Sequence, residues 1–313
     1  MFFNDFSTEY KDLESILKNI QNLLKEEFAI TAIMSFELEF FLLPESSAVT
    51  LSDEQSSEFL ASVKEIALNH GLKIGSVTKE VGELQYEVNF KHGADLGKLA
   101  QDLLKTKKII INIAKSYACK ASFAAKPHGD KDVGSGMHTH LSFSDSDQEN
   151  IFQEKNELFY QSIAGLLENL PASMLFFITD QSDFARFSAK FSINKAELRY
   201  RCNATNAPVN ISWGTNNRTT ALRIPDSYQE PKMRRIEHRV PASNANPYLV
   251  LIGVLMGAYL GIKHKLQAPE KIWGNAFDEQ YILEALPINL VEAKSAFANS
   301  EMNDFLVNLK NIN

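Results

Sequence analysis

The sequence predicts an α+β fold: a curved, largely antiparallel sheet flanked by helices. Three observations predict it. Strand-like and helix-like segments follow one another in no fixed order, some strands being joined by turns and others by helices. Several of the strand-like segments alternate acids, histidines or arginines with bulky apolar residues, which gives each one polar face and one apolar face. The longest uncharged apolar run, Tyr248 to Ile262, is shorter than the roughly 20 residues a membrane span needs. Pro247 before it and Lys263 after it fit a buried helix.

Each element has a local cause. Met1 to Phe28 is acidic and amphipathic, with Leu13, Ile16, Leu17, Ile20, Leu23 and Leu24 at helical spacing, unlike a signal or transit peptide. Ile33 to Leu43 alternates and reads as a strand. Ser52-Asp53 opens a helix that Gly71 closes. Leu72 to Phe90 reads as strand, turn, strand, with the turn near Val81-Gly82. A long helix over Ala94 to Ala118 leads to a strand at Lys120 to Lys126, then to the glycine turn Gly134-Ser135-Gly136 and another strand. A helical pair spans Gln153 to Ile178, broken by Pro171. Strands return at Val209 to Trp213, Thr219 to Pro225 and Arg235 to Val240, and the C-terminal third, including 270–313, is helical. No repeat, low-complexity tract or linker divides the chain, so 1–313 reads as one domain, with 1–30 an N-terminal helical segment.

Composition narrows the function. A net charge of −7 and a pI near 5.6 argue against nucleic acid or an anionic membrane as a partner. Two cysteines, Cys119 and Cys202, form no disulfide framework, and a reducing cytoplasm is the default location. Lysines are spread along the whole chain, yet all eight arginines lie between Arg186 and Arg239. Arginine is chosen over lysine where a planar fork must grip carboxylate or phosphate, so this window reads as a polyanion site. The alternative is chance clustering with surface salt bridges.

The most informative stretch is Gly134-Ser135-Gly136-Met137-His138-Thr139-His140-Leu141-Ser142. On a strand, His138, His140 and Ser142 share one face, while Thr139, Leu141 and Phe143 share the other. Taken alone, this reads equally well as a surface His-x-His pair. The same geometry recurs, however. Glu37 and Glu39 oppose Phe36, Leu38 and Phe40; Gln85 and Glu87 oppose Leu84, Tyr86 and Val88; Arg235, Glu237 and Arg239 oppose Ile236, His238 and Val240. Carboxylates brought close repel unless they are protonated or bridged by a cation. An oxygen-rich donor set with one histidine favours Mg²⁺ or Mn²⁺ over Zn²⁺. Metal plus arginines describes phosphoryl transfer from a nucleotide, and no Walker-type loop or kinase signature is present.

With these residues in place, the chain resembles the catalytic domain of glutamine synthetases from about Ile33 to Leu266. The segments come in the family's order: Glu37-Leu38-Glu39, Glu80 with Glu87, Lys126-Pro127, the glycine-histidine motif, Ala207-Pro208-Val209-Asn210, Asn217-Arg218-Thr219, Arg223-Ile224-Pro225, Arg235-Ile236-Glu237-His238-Arg239 and Ala245-Asn246-Pro247-Tyr248. The resemblance implies ATP and two or more divalent metals, Mg²⁺ or Mn²⁺. By position it gives Glu39, Glu80 and Glu87 to the metal near the amino-acid substrate, and Glu37, His138 and Glu237 to the metal at the phosphates. His140, Ser142, Arg218, Arg223 and Arg235 fall on the ATP side, Gly134 and Arg239 on the glutamate side, and Arg218, Arg239 and Glu237 at the reacting groups. The implied reaction makes an acyl phosphate from a γ-carboxylate and ATP, and an amine, ammonia or another, then displaces phosphate. It also implies a homo-oligomer.

Three departures from the family pattern matter. Only about 30 residues precede the first acidic strand, too few for the β-grasp domain the family carries there; a neighbouring reading frame encoding a small β-grasp partner would favour a split glutamine synthetase. Val133 stands where the family has a substrate-binding Asn, and Asn206 where a flap Glu helps deprotonate ammonium. Arg199 or Arg201 is the expected substrate arginine. Three functions remain open: a ligase using ammonia, a ligase using another amine or carboxylate, and a non-catalytic nucleotide-binding relative.

Overall fold

The protein is described by a computed structural model covering residues 10–129, 133–187 and 207–311. It is an α+β structure on one open sheet, with strands β1 (Thr31–Pro44), β2 (Ile74–Lys79), β3 (Gln85–Phe90), β4 (Cys119–Ser122), β5 (Met137–Ser144), β6 (Trp213–Thr215), β7 (Leu222–Ile224) and β8 (Ile236–His238). Their order is β2-β3-β1-β5-β8-β7-β6, with β4 also on β1. The described pairings are antiparallel except β6 with β7.

β1 organises the sheet because its period of two is nearly unbroken. Ala32, Met34, Phe36, Leu38, Phe40 and Leu42 are buried on one side, where Phe40 packs on Phe59 and Tyr86. One edge of β1 pairs with β3, and the other is shared by β5 (Thr31 to Leu38) and β4 (Phe41 to Pro44). That sharing explains why the strand expected over 120–126 is only Cys119–Ser122. Beyond Ser122 the edge is taken by Gly136, whose carbonyl accepts from the Glu39 N–H, and then by Met137. β7 and β8 are also shorter than their alternation suggests, and the strand expected over 209–213 lies instead at Trp213–Thr215. Ahead of β7, Asn217 Oδ1 accepts from the Thr219 N–H and hydroxyl, which turns residues otherwise suited to extension.

Helices α1 (Tyr10–Phe28), α2 (Asp53–Asn69), α3 (Leu96–Ser116), α4 (Glu157–Glu168), α5 (Leu170–Phe177) and α6 (Pro247–Lys263) follow the local signals. Ser52 caps α2 in a reciprocal capping box with Gln55, and Gly71, at φ +70°, lies just past its C-cap. Pro171 does more than break the helical pair, because it sits in the first turn of α5, where no N–H is needed. α6 is buried all round, with α1 packed on it through Tyr259, whose ring meets Phe28 edge-on and whose hydroxyl donates to Glu27. The C-terminal region corrects one expectation. Pro269, Gly274 and Pro287 interrupt residues 265–289, which run as turns and extended chain. Helix returns only at α7 (Leu290–Ala298) and α8 (Glu301–Lys310).

Candidate active site

The sheet register turns the separate polar faces into one site. Glu37 on β1 lies opposite His138 on β5, Glu39 opposite Glu87 on β3, and His140 opposite Glu237 on β8, which in turn faces Arg223 on β7. His138 is the hub. Its Nδ1 is 3.4 Å from Glu37 and 3.7 Å from Glu237, and its Nε2 is 3.9 Å from Glu39. Two groups have ligand atoms lying within 4.8 Å of one another: Glu37, His138 and Glu237, and Glu39, Glu87 and His138. The first is the trio expected for the phosphate-side metal. In the second, His138 stands in the place expected for Glu80, which lines the cavity beside Glu39.

The electrostatics of these carboxylates differ according to their partners. Glu237 has no exposed side-chain surface and accepts from Arg223 and Arg239, both at 2.6 Å. Burial would lift its carboxyl, but Arg239 and the imidazoles of His138 and His140 bring it down to about 2. Glu37 is likewise held well below the usual range: burial is overcome by the nearby charge of His140 and by hydrogen bonds from both histidines. Glu87 goes the other way. Burial, then the charges of Glu37, Glu39 and Glu80, push it up to about 9. Burial and Glu39 raise Glu80 as well.

Arg235 Nε lies 3.0 Å from His140 Nδ1, and the ring's other nitrogen, Nε2, lies 2.8 Å from Glu37. Arg235 thereby helps orient the His140 ring toward Glu37. Ser142 lies one step further along the same face of β5, buried. Arg223 is held from its far side by Asn216 Oδ1.

A small cavity beside the acids is lined by Glu39, Glu80, Gly134, Arg186, Arg218 and Arg239. Val133 also lines it. Glycine is required at its rim by close approach: a Cβ at Gly134 would stand 2.7 Å from the Ala125 carbonyl, and one at Gly136 would stand 2.6 Å from Arg186 Nη2. Arg186 lines this cavity and is not singled out by motif reading, which names Arg199 and Arg201. Those two, with Asn206 and Cys202, lie outside the described residues. Arg186 lies in the last turn of a 3₁₀ segment, Gln181–Phe187, and its guanidinium donates to the Val240 and Pro241 carbonyls at 2.9 and 3.1 Å. Its membership of the arginine cluster was the one signal that could have found it. Of the cluster's other described members, Arg218, Arg223, Arg235 and Arg239 surround the acids. Arg234 turns away, to the carbonyls of Phe152 and Gln153.

The donor set suits hard divalent cations: carboxylate oxygens with one imidazole, and a carboxyl that burial and then like charge hold neutral until a cation relieves it. A sheet that gathers such donors beside arginines could hold metals and phosphates. The comparison with known proteins makes this specific. The pattern of the family described as "Glutamine synthetase, catalytic domain" matches residues 12–308, and the chain belongs to that family. It is 27% identical over 249 residues to gamma-glutamylputrescine synthetase PuuA of Escherichia coli (strain K12), covering 78% of this chain and 49% of that one. It is 29% identical to a glutamate–isopropylamine ligase of a Pseudomonas species, covering 88% and 62%. It is 30% identical to a glutamine synthetase of Methanocaldococcus jannaschii, covering 93% and 66%. The chain thus spans about half to two thirds of the length of these curated relatives. A solved structure described as a GmaS/ADP complex superposes with a TM-score of 0.79 at 22% identity, over 95% of this chain and 69% of that one, which establishes the shared fold. No helix among the described residues is long and apolar enough to cross a membrane.

Proposed function

We propose that this chain is an ATP-dependent carboxylate–amine ligase that activates a glutamate-like γ-carboxylate as an acyl phosphate and then joins it to an amine. The observation that carries the reading is the meeting of two acidic groups at His138 with Arg186, Arg218 and Arg239 around one cavity. Glu37, His138 and Glu237 would hold one divalent metal; Glu39 and Glu87, with Glu80 or His138, would hold a second. Bound there, Mg²⁺ or Mn²⁺ would neutralise charge on the transferring phosphoryl group.

The chain's own residues do the rest. Arg218 and Arg239 offer charge to the phosphoryl oxygens on the open side of the cavity. Arg186, fixed by backbone carbonyls, offers its remaining donors to the substrate's carboxylate. His140, set by Arg235, and Ser142 continue along β5 toward the nucleotide. Arg239, with the imidazoles of His138 and His140, keeps Glu237 ionised, so that it remains a metal donor.

Ammonia is the family's simplest amine, and a second reading, a larger amine, is favoured by Asn206. This side chain cannot accept a proton from an attacking ammonium. Relatives named for putrescine and isopropylamine support it too. The test is phosphate release from ATP by the purified chain with Mg²⁺, glutamate and a panel of ammonium, methylamine, isopropylamine and putrescine. Release that rises with one amine identifies it. ATP binding without release for any amine would overturn the ligase reading in favour of a non-catalytic relative. The same reading includes self-association, which light scattering of the purified chain tests.

A further inference from the structure

A second cavity, of about 250 Å³, lies behind the far edge of the sheet. Its walls are Phe159 and Tyr160 of α4, Trp213 of β6 and Ile224 of β7. The register separates it from the candidate active site. Trp213 pairs with Leu222, and Thr215 with Ile224, while Arg223 between them reaches Glu237 on the polar face. Side chains alternate along a strand, so Trp213 and Ile224 point to the opposite face.

The aromatic wall is fixed. The Trp213 ring sits edge-on to Tyr160 with centroids 6.3 Å apart, and its Nε1 donates to the Pro269 carbonyl at 2.8 Å. The indole's polar atom is thereby used, leaving an apolar surface toward the hollow. Charge at the rim is one-sided. Lys155 and Lys271 both line the cavity, with Glu270 as the lone carboxylate, and among the described residues neither lysine forms an ion pair. Lys155 projects from a left-handed position (φ +51°) that ends a 3₁₀ turn. Its ammonium is lowered by partial burial and by the nearby charges of Arg234 and Lys271. Two lysines thus line an aromatic hollow that offers a single carboxylate, Glu270, with Arg234 close behind Lys155.

We propose that this cavity binds a small aromatic carboxylate, its ring against Tyr160 and Trp213 and its carboxylate between Lys155 and Lys271. The volume is slightly below the roughly 300 Å³ at which pockets for drug-sized ligands begin, which suits a ligand of one or two rings. Rim lysines, of which Lys271 sits 4.1 Å over the Trp273 ring, and a flat aromatic wall select for both halves of such a molecule, whereas inorganic phosphate would use only the first.

The experiment titrates the full chain with 3-phenylpropionate and with indole-3-acetate by calorimetry and ligand-observed saturation-transfer NMR. 3-Phenylpropanamide and propionate serve as controls. Binding of at least one aromatic acid is expected, with saturation strongest at the ring protons. The amide should bind about tenfold more weakly or worse, since it loses the charge-assisted contacts, and propionate should give no ring-driven binding. The double variant Lys155→Gln/Lys271→Gln should weaken the acid about tenfold while melting like the parent, because both side chains sit at the rim. Saturating Mn²⁺ and ADP should leave binding unchanged. Failure of both acids to bind, equal binding of the amide, unchanged affinity in the double variant, or displacement by Mn²⁺ and ADP would each overturn the proposal.

Discussion

Glu237 concentrates the electrostatics of the candidate active site in one carboxylate. It has no exposed surface, two arginines at 2.6 Å and an imidazole at 3.7 Å. Glu237→Gln keeps the shape but removes the charge, and it should weaken Mn²⁺ binding about tenfold or more. Electron paramagnetic resonance of free Mn²⁺ measures this, and an unchanged affinity would remove Glu237 from the ligand set. Glu87 makes a complementary prediction. With its carboxyl near 9 it is protonated at pH 7, and a metal must displace that proton. Calorimetric titrations of Mn²⁺ in two buffers of different ionisation enthalpy should report release of about one proton per metal at this group. Replacing Glu87 by Gln should abolish that release. At this scale most of the site was legible, because Glu37, His138 and Glu237 each stand on an alternating segment whose polar face is fixed by the strand's own geometry. Arg186 was not, since nothing local distinguishes it; only its arrival beside Gly136 and His138 does.

Among the elements, α4 and α6 meet at backbone distance. A Cβ at Gly165 would stand 2.3 Å from the Gly257 carbonyl, and one at Gly261 would stand 2.2 Å from the Gln161 carbonyl. Gly165→Ala should therefore force the helices apart and cost about 1–3 kcal/mol or more, read from the urea midpoint. Helix propensity alone would predict the opposite sign. β8 carries a second test. His238 points from its apolar face onto Phe177, with centroids 4.7 Å apart, and burial and then the nearby His138 lower its pKa to about 3. An unfolded chain binds that proton near pH 6.5, so between about 6.5 and 3 the unfolded state takes up more protons than the folded one. His238's contribution to stability is thus intact above pH 6.5 and lost as the pH falls through this window. His238→Phe should flatten the difference in stability between pH 7 and pH 4, and an unchanged slope would show that His238 does not titrate on unfolding.

For the whole molecule, the proposed metal and nucleotide sites draw on β1, β3, β5, β7 and β8, so ligand binding should stabilise the sheet as a unit. Mn²⁺ with ADP at about 100 times their dissociation constant adds roughly 2.7 kcal/mol. That should raise the melting temperature by several degrees, as scanning calorimetry would record. A Glu37→Gln/Glu237→Gln variant should lose most of that shift. The sequence by itself determined which residues share a face, where α2 and α6 begin, and that acids, imidazoles and arginines line the polar side, because these follow from strand and helix periods and from capping within a few residues. Only the tertiary structure decided which faces become neighbours. β8 and β1 join β5 through pairings distant in sequence, which put Glu237 and Glu39 on either side of His138; β3 joining β1 set Glu87 beside Glu39, β4 was left only the end of an edge, and Arg186 came to the cavity. No local propensity encodes that choice, because strand order is settled by burying the apolar faces of all the strands and helices at once.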